Sequence, residues 1–339
     1  MNGPDPLAPW DYALPPELIA DRPPEARDGG RLLALRGDRC VDATIPDLPS
    51  FLEPDDLVVV NDVRVRRARL RARRESGGAV EVMLVRDDEA LCRPSRKLAA
   101  GERLRCAGGA VTLVAALGEG RWRVACTPSA DALADAGGEL PLPPYLGRPA
   151  DDADDVRYQT VYARAGALAA AAAPTAGLHF TPELLDAVRA RGARVASLTL
   201  EVGLGTFKPL TEAQLVAGEL HPERYVVPEA TWAAVATARR VVAVGTTVAR
   251  ALESATGPGP GETRIFIRDA WPWRRVDVLF TNLHLPRSSL LALVCSFAGH
   301  ERVMAGYRHA VEGRYRFFSY GDATLLWRDA ATAIAARPE

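Results

Sequence analysis

The sequence predicts an α/β body with a mainly parallel or mixed sheet, into which a small all-β barrel is inserted. The apolar run Val58–Val60 ends in Asn61 and Asp62, as a buried strand with a polar carboxyl end would. After about residue 155, strand, turn and helix patterns alternate, and this alternation is typical of a mainly parallel sheet covered by helices. Near the amino terminus, LPPELIA predicts an opening helix.

The barrel is indicated by a change of pattern between about residues 65 and 144. Short alternating segments follow one another there and are separated by glycine pairs, as in GGAVEVMLV, GGAVTLVAAL and GRWRVACT. The proline-rich and acidic stretch PLPPYLGRPADDADD predicts an extended linker back to the body. We therefore expect a discontinuous body of residues 1–64 and 155–339, with the barrel and linker at 65–154.

Composition narrows the class of protein. The chain has 42 basic and 43 acidic residues, so no overall field attracts nucleic acid or anionic lipid. Its five scattered cysteines lack CxxC spacing, and no apolar stretch is long enough to span a membrane. His179, His221 and His284 lack the spacing of metal ligands. We expect a monomeric, cytoplasmic protein that binds no metal.

Five segments place polar or glycine residues directly after apolar runs: VNDVR, PTAGLHFTPELL, EVGLGTFKP, AVGTTVARALE and TNLHLPRSS. Ligands of open α/β sheets bind beyond the carboxyl ends of the strands, and helix starts at these ends suit a carboxylate. Helix caps, turn glycines and satisfied buried side chains explain the same residues without a ligand. The residues of these segments that we expect to contact a small-molecule ligand are Thr175, Gly177, Gly203, Gly205, Thr206, Gly245, Thr246, Thr247 and Asn282.

Arginine alternates with small apolar residues from Arg67 to Arg73. In a strand this alternation places the guanidinium groups on one face, where they either contact phosphate or form a solvated surface. Lysine is rare in the chain, so Lys97 and Lys208 stand out as positions where a compact ammonium group is used instead of a guanidinium.

Taken in order, the motifs resemble those of the S-adenosylmethionine:tRNA ribosyltransferase-isomerases of queuosine biosynthesis. The resemblance covers nearly the whole chain, through VVVNDVRV, RPSRKLAAG, LPLPPY, APTAGLHFT, TLEVGLGTFKP, AVGTTVARALES, TNLHLPRSSLLALV and RFFSYGDATLL. It implies an α/β body with an inserted barrel. It also implies transfer of the ribosyl group of S-adenosylmethionine to 7-aminomethyl-7-deazaguanine in tRNA, with rearrangement to an epoxycyclopentanediol. Adenine and methionine leave, the product is epoxyqueuosine, and no metal is implied.

The implied reaction needs three kinds of assistance. A base must remove a C5′ proton next to the sulfonium, the departing adenine needs a proton donor, and an alkoxide must be steered to close the epoxide. The residues that could fill these roles are His179, His284, Asp322 and Lys97. Contacts with the acceptor and the tRNA are expected from Asn61, Asp62, Arg64, Arg69, Arg71, Arg93, Glu201, Lys208 and His221.

Several positions depart from the usual family pattern. Glu201 stands where most members have histidine, Pro222 interrupts an H-S-E triplet, and residues 269–271 replace a customary P-G-Y. These departures leave two other interpretations open. One is a diverged paralogue that uses S-adenosylmethionine with a free 7-deazapurine nucleoside or another small acceptor. The other is an RNA-binding homologue without turnover.

Overall fold

The computed structural model describes residues 5–203 and 210–329. The strands are β1 (Arg31–Arg36), β2 (Arg39–Thr44), β3 (Leu57–Asn61), β4 (Val63–Val65), β5 (Arg69–Arg73), β6 (Ala79–Arg86), β7 (Glu89–Arg93), β8 (Arg103–Cys106), β9 (Gly109–Gly118), β10 (Arg121–Thr127), β11 (Arg164–Ala170), β12 (Arg194–Leu200), β13 (Glu219–Val227), β14 (Val241–Val244), β15 (Gly259–Ile265), β16 (Val278–Asn282) and β17 (Ala323–Trp327). The α-helices are α1 (Ala130–Gly137), α2 (Asp152–Arg157), α3 (Pro182–Ala190), α4 (Glu212–Ala217), α5 (Glu229–Thr237), α6 (Thr246–Ser254), α7 (Ser289–Ala298) and α8 (His300–Glu312). Short 3₁₀ helices span Ala8–Trp10, Pro16–Leu18, Ile45–Phe51, Pro144–Leu146 and Thr175–His179.

One mixed sheet of nine strands forms the body, in the order β15, β13, β12, β3, β14, β16, β17, β1, β2. Its central strands β12, β3, β14 and β16 run parallel to one another. Toward the edges the pairs are antiparallel, except for the parallel pair of β17 with β1. In this register Val58 lies between Val195 and Val242. The mixed sheet confirms the predicted α/β body.

The apolar run of β3 is continuous because both faces of the sheet are covered. Leu57 and Val59 belong to the core beneath α6, α7 and α8, whereas Val58 and Val60 belong to the core beneath α3. Alternate side chains of a strand point to opposite faces, so a strand covered on both sides must be apolar throughout. In the two described stretches, no helix combines the length and the apolarity needed to cross a membrane.

Strands β5–β10 close into an antiparallel barrel in the order β10, β7, β6, β5, β8, β9. Leu70 and Ala72 of β5 point into its core, whereas Arg71 and Arg73 are exposed. The alternation of arginine with apolar residues is therefore that of a strand with one buried face. Closure pairs every strand edge. The barrel confirms the second part of the predicted fold class, and we keep 65–154 as the proposed extent of the insertion.

The predicted opening helix is wrong, since LPPELIA forms only the three-residue 3₁₀ helix Pro16–Leu18. Beyond it the chain is extended and pairs with Phe317, whose backbone N–H donates to the carbonyl of Leu18 at 2.8 Å. Ala20 in turn donates to the carbonyl of Phe317 at 3.1 Å. These long-range backbone bonds replace the intrahelical bonds of a longer helix, and the sequence pattern does not reveal them.

Candidate active site

The candidate site lies where two neighbouring parallel strands end. Strand β14 ends at Val244, and the N–H of Gly245 donates to the carbonyl of Phe280 in β16 at 2.7 Å. Gly245 has φ 91°, a conformation that favours glycine. Helix α6 begins at Thr246 without a side-chain cap, so the first N–H groups of the helix are available to a ligand.

A small cavity opens at this helix start. Six of the residues predicted to contact ligand or reactants line this cavity. The sequence analysis did not predict the other residues of the lining. The predicted residues in its lining are Thr175, Gly245, Thr246, Thr247, Asn282 and His284. The others include Val202, Thr281, Leu290, Phe318 and Ser319.

Two buried polar atoms at this cavity lack a hydrogen-bond partner among the described residues. They are Oγ1 of Thr247 and Oδ1 of Asn282, which belong to residues that are 8% and 3% exposed. A buried polar group without a partner costs about 1–3 kcal/mol, and such groups in native structures usually have a ligand or water as partner. The cavity therefore suits a molecule with an anionic group for the start of α6 and a hydrogen-bond donor for Asn282. S-adenosylmethionine has both, a carboxylate and several N–H and O–H groups.

His284 lines the cavity directly. Its Nε2 lies 3.1 Å from Oγ1 of Thr281. Its backbone is held from both sides, because its N–H donates to the hydroxyl of Tyr307 at 3.0 Å and its carbonyl accepts from Tyr12 at 2.5 Å. Burial lowers the pKa of His284 to about 3, so its imidazole is neutral at neutral pH.

His179 lies behind the cavity wall. Its Nε2 is 3.2 Å from Nδ2 of Asn282, and its ring packs edge-on against Phe280. Burial, followed by the positive charges of Arg316 and Arg27, lowers the pKa of His179 to about 4. A neutral imidazole hydrogen-bonded to Asn282 can orient that amide.

Asp322 lies near His179, beside Gly30. Its Oδ1 and the Nδ1 of His179 lie 3.4 and 3.5 Å from the point where a Cβ on Gly30 would sit. Both carboxylate oxygens accept backbone hydrogen bonds, from the N–H groups of Arg31 and Arg316, each at 2.8 Å. Burial raises the pKa of Asp322. The carboxyl group therefore anchors the start of β1 to the loop before β17.

A second small cavity shares Leu290 with the first and includes Gly203 and His221 in its lining. The N–H of Gly203 donates to the carboxylate of Glu223 at 3.1 Å, and Glu223 forms a buried ion pair with Arg250 of α6. Sequence reasoning missed Glu223 and Arg250, because the pairing of β12 with β13 brings Glu223 beside the glycine turn and the packing of α6 then brings Arg250 to Glu223. The remaining predicted residues of that turn lie outside the described residues; they are Gly205, Thr206 and Lys208.

Glu201 directly follows β12 and is 6% exposed. Its carboxylate accepts two hydrogen bonds from the guanidinium of Arg224, at 2.8 and 3.0 Å. Arg86, at the end of barrel strand β6, approaches the same carboxylate at 3.7 Å. Glu201, which stands where most family members have histidine, is thus paired with two arginines, and one of them belongs to the barrel.

Asn61 and Asp62 make structural contacts with β12 and, through Arg164, with β11. The amide of Asn61 accepts from the N–H of Leu200 at 2.9 Å and donates to its carbonyl at 3.0 Å. Asp62 accepts from Thr199 and from Arg164, both at 2.6 Å. These bonds fix the end of β3 against its neighbour.

The other predicted residues lie away from the first cavity. Gly177 is required by packing, since a Cβ there would lie 2.1 Å from the hydroxyl of Tyr162. Arg93 and Lys97 are exposed at the end of β7 and in the connection to β8, and Arg64 is exposed on β4. Along β5, Arg69 pairs with Glu81 at 3.7 Å and Arg71 with Glu139 at 3.1 Å.

The fold and the site define an α/β protein with an inserted barrel and a small polar-lined cavity at the carboxyl ends of parallel strands. Residues 7–326 match the family model described as "Queuosine biosynthesis protein", and the chain belongs to this family. It is 48% identical over 339 residues to an S-adenosylmethionine:tRNA ribosyltransferase-isomerase from Azoarcus sp. (strain BH72), with 95% of this chain and 98% of that protein covered. A relative of the same name from Rubrobacter xylanophilus is 49% identical, with 93% and 96% covered.

A solved structure agrees with these relatives. The crystal structure of S-adenosylmethionine tRNA ribosyltransferase from Thermotoga maritima matches with a TM-score of 0.54 and 32% identity, covering 94% of this chain and 99% of that chain. The resemblance drawn from the motifs is therefore confirmed. The names of these relatives do not favour the paralogue with a small acceptor or the RNA-binding homologue.

Proposed function

We propose that this chain is an S-adenosylmethionine-dependent ribosyltransferase-isomerase that modifies 7-aminomethyl-7-deazaguanine in tRNA. The ribosyl group is transferred and rearranged, adenine and methionine leave, and epoxyqueuosine is formed. The observation that carries the proposal is the cavity at the start of α6, whose buried atoms Thr247 Oγ1 and Asn282 Oδ1 need partners. Membership of the family supports the same assignment.

The donor site in this proposal is built from three features of the cavity. The uncapped start of α6 at Thr246 and Thr247 binds the carboxylate of the methionine part. Gly245 forms the turn into this helix, where its φ of 91° favours glycine. Asn282 presents its free amide oxygen to an N–H or O–H group of the donor. Thr175 also lines the cavity.

His284 is the residue we assign to proton transfer at C5′. Among the described residues that line the cavity, it is the only ionisable one. Its imidazole is neutral because burial lowers its pKa to about 3, so an unprotonated ring nitrogen is present, and the adjacent sulfonium increases the acidity of the C5′ proton. We assign His179 and Asp322 to positioning, since their polar atoms contact Asn282 and backbone groups. Lys97, on the barrel, is assigned to the tRNA.

The acceptor side involves the barrel and the second cavity. We propose that the tRNA contacts the cations of β4, β5, the end of β7 and the connection to β8, whose positive charge suits phosphate, while His221 contacts the modified base. The residues of this surface are Arg64, Arg69, Arg71, Arg93 and Lys97. We further propose that the enzyme works as a monomer in the cytoplasm, where its tRNA substrate is found.

A comparison of acceptors tests the proposal. The rate of adenine release from S-adenosylmethionine is measured with tRNA that carries 7-aminomethyl-7-deazaguanine and, separately, with the free deazaguanine nucleoside at the same concentration. We expect release with the tRNA and only background release with the nucleoside. Equal rates with both acceptors would contradict the assignment of tRNA as the substrate.

A further inference from the structure

The wall of the donor cavity formed by Phe318 and Ser319 has an unusual backbone. Phe318 has φ 76°, a left-handed conformation that bulky residues rarely adopt, and such conformations persist where surrounding contacts enforce them. The segment lies between α8 and β17, and both residues line the cavity. The contacts that hold this backbone in place therefore also shape the cavity.

On the inner side, the segment orients Asn282. The carbonyl of Phe318 accepts a hydrogen bond from Nδ2 of Asn282 at 3.0 Å, and the carbonyl of Ser319 lies 3.5 Å from the same nitrogen. Carbonyls only accept, so the amide nitrogen must face them and His179. This orientation leaves Oδ1 of Asn282 as the atom that faces the ribosyl donor, S-adenosylmethionine.

On the outer side, the segment is held by the linker that returns from the barrel. The hydroxyl of Tyr145 accepts a hydrogen bond from the N–H of Ser319 at 3.2 Å, and its ring lies 4.2 Å from that of Phe318. Tyr320 donates to the buried carboxylate of Asp154 at 2.8 Å, which Arg148 also binds.

We infer that Tyr145 is a positioning residue for the donor site. It fixes the backbone of Phe318 and Ser319, and this backbone in turn sets the direction of the Asn282 amide. Because Tyr145 lies in the connection between the barrel and the body, the same contact links the tRNA-binding barrel to donor binding. The inference rests on the proposed function, since it takes S-adenosylmethionine as the ligand of the cavity.

The contact can be removed one part at a time. Tyr145→Phe keeps the ring against Phe318 and removes only the acceptor for the Ser319 N–H. The matched control is Tyr225→Phe, because Tyr225 is a mostly buried tyrosine of β13 that lines neither cavity. Both variants are compared with the unmodified chain for turnover with tRNA, for thermal unfolding and for amide hydrogen exchange without ligand.

For Tyr145→Phe we expect the KM for S-adenosylmethionine to rise about tenfold, because the backbone that orients the Asn282 amide is no longer fixed, while kcat changes little. The melting temperature should fall by a few degrees, because the buried N–H of Ser319 loses its partner. Hydrogen exchange should become faster at residues 317–320 and stay unchanged elsewhere. An unchanged KM, or an equal effect of Tyr225→Phe, would overturn the inference. An unmodified chain without turnover would overturn the proposed function, whereas turnover with an unaffected Tyr145→Phe variant overturns the inference alone.

Discussion

Nδ2 of Asn282 lies 3.2 Å from Nε2 of His179, although 103 residues separate them in sequence. They meet because β16 packs against the 3₁₀ helix that ends at His179. The amide nitrogen donates to the neutral imidazole, since the carbonyl of Phe318 on its other side can only accept. This contact makes His179 a residue that orients Asn282, which agrees with our proposal that His284, and not His179, accepts the proton.

The two buried histidines predict a loss of stability in mild acid. In the unfolded chain each has a pKa near 6.5, whereas burial lowers the pKa to about 4 for His179 and about 3 for His284. Below about pH 6.5 the unfolded state therefore binds more protons than the folded state. The free energy of unfolding decreases as the pH is lowered. Between pH 7 and pH 5 we expect a loss of about 2 kcal/mol for each histidine.

Chemical unfolding at several pH values measures this loss, with His179→Gln as the comparison because glutamine does not titrate. Its loss between pH 7 and pH 5 should be smaller than that of the unmodified chain by about 2 kcal/mol. Equal losses in the two proteins would contradict a buried, neutral His179.

Replacement of Thr247 by valine tests the donor site. The change keeps the shape of the side chain and removes Oγ1, a buried atom without a partner among the described residues. We expect the folded chain to be as stable as before or more stable, because no internal hydrogen bond is lost, and the KM for S-adenosylmethionine to rise about tenfold. Thr237→Val in α5, whose hydroxyl bonds within its own helix, is the control. An unchanged KM for Thr247→Val would place the donor elsewhere.

From the contacts of Glu201 we predict that replacing it with histidine, the usual family residue, lowers both stability and turnover. Glu201→His removes the carboxylate that binds both Arg224 and Arg86. The two guanidinium groups then lose the negative charge that they share. We expect a loss of about 1–3 kcal/mol in unfolding free energy and slower turnover with tRNA. The control is Glu139→Gln, which breaks the more exposed pair with Arg71 and should cost under about 1 kcal/mol. A large gain in turnover for Glu201→His would mean that the glutamate impairs the reaction.

We predict that the arginines of β5 make a salt-dependent contribution to the affinity for tRNA. Arg71 is 77% exposed on its side chain, and its pair with Glu139 is at the surface, so a phosphate can compete with the carboxylate. For the double replacement of Arg69 and Arg71 by alanine we expect weaker binding and a slope of log affinity against log salt reduced by about 1–2. Arg189→Ala on α3 is the control. An unchanged slope would make the face of β5 a solvated surface only.

The sequence was sufficient for features that local pattern determines. The valines of β3 and the Gly245–Thr247 junction were located from apolar runs and from glycine and threonine placement. The alternation in β5 likewise follows from the period of a strand.

Features that depend on strand order could not be predicted. Glu223 meets Arg250, and Glu201 meets Arg86, only after β13 pairs with β12 and the barrel is in place. The same holds for the wall at Phe318, which Tyr145 supports from a distant linker. A pattern of residue types does not contain these contacts, because they form between segments far apart in the chain.

The central claim is tested most directly by mass spectrometry of one reaction mixture. The chain is incubated with S-adenosylmethionine, with and without tRNA carrying 7-aminomethyl-7-deazaguanine, and adenine, methionine and the digested tRNA nucleosides are measured together. We predict equal amounts of adenine and methionine that depend on the tRNA, with the mass of the added ribosyl-derived group on the deazaguanine. Release without that mass gain, or a well-folded chain that releases neither product, would contradict the account.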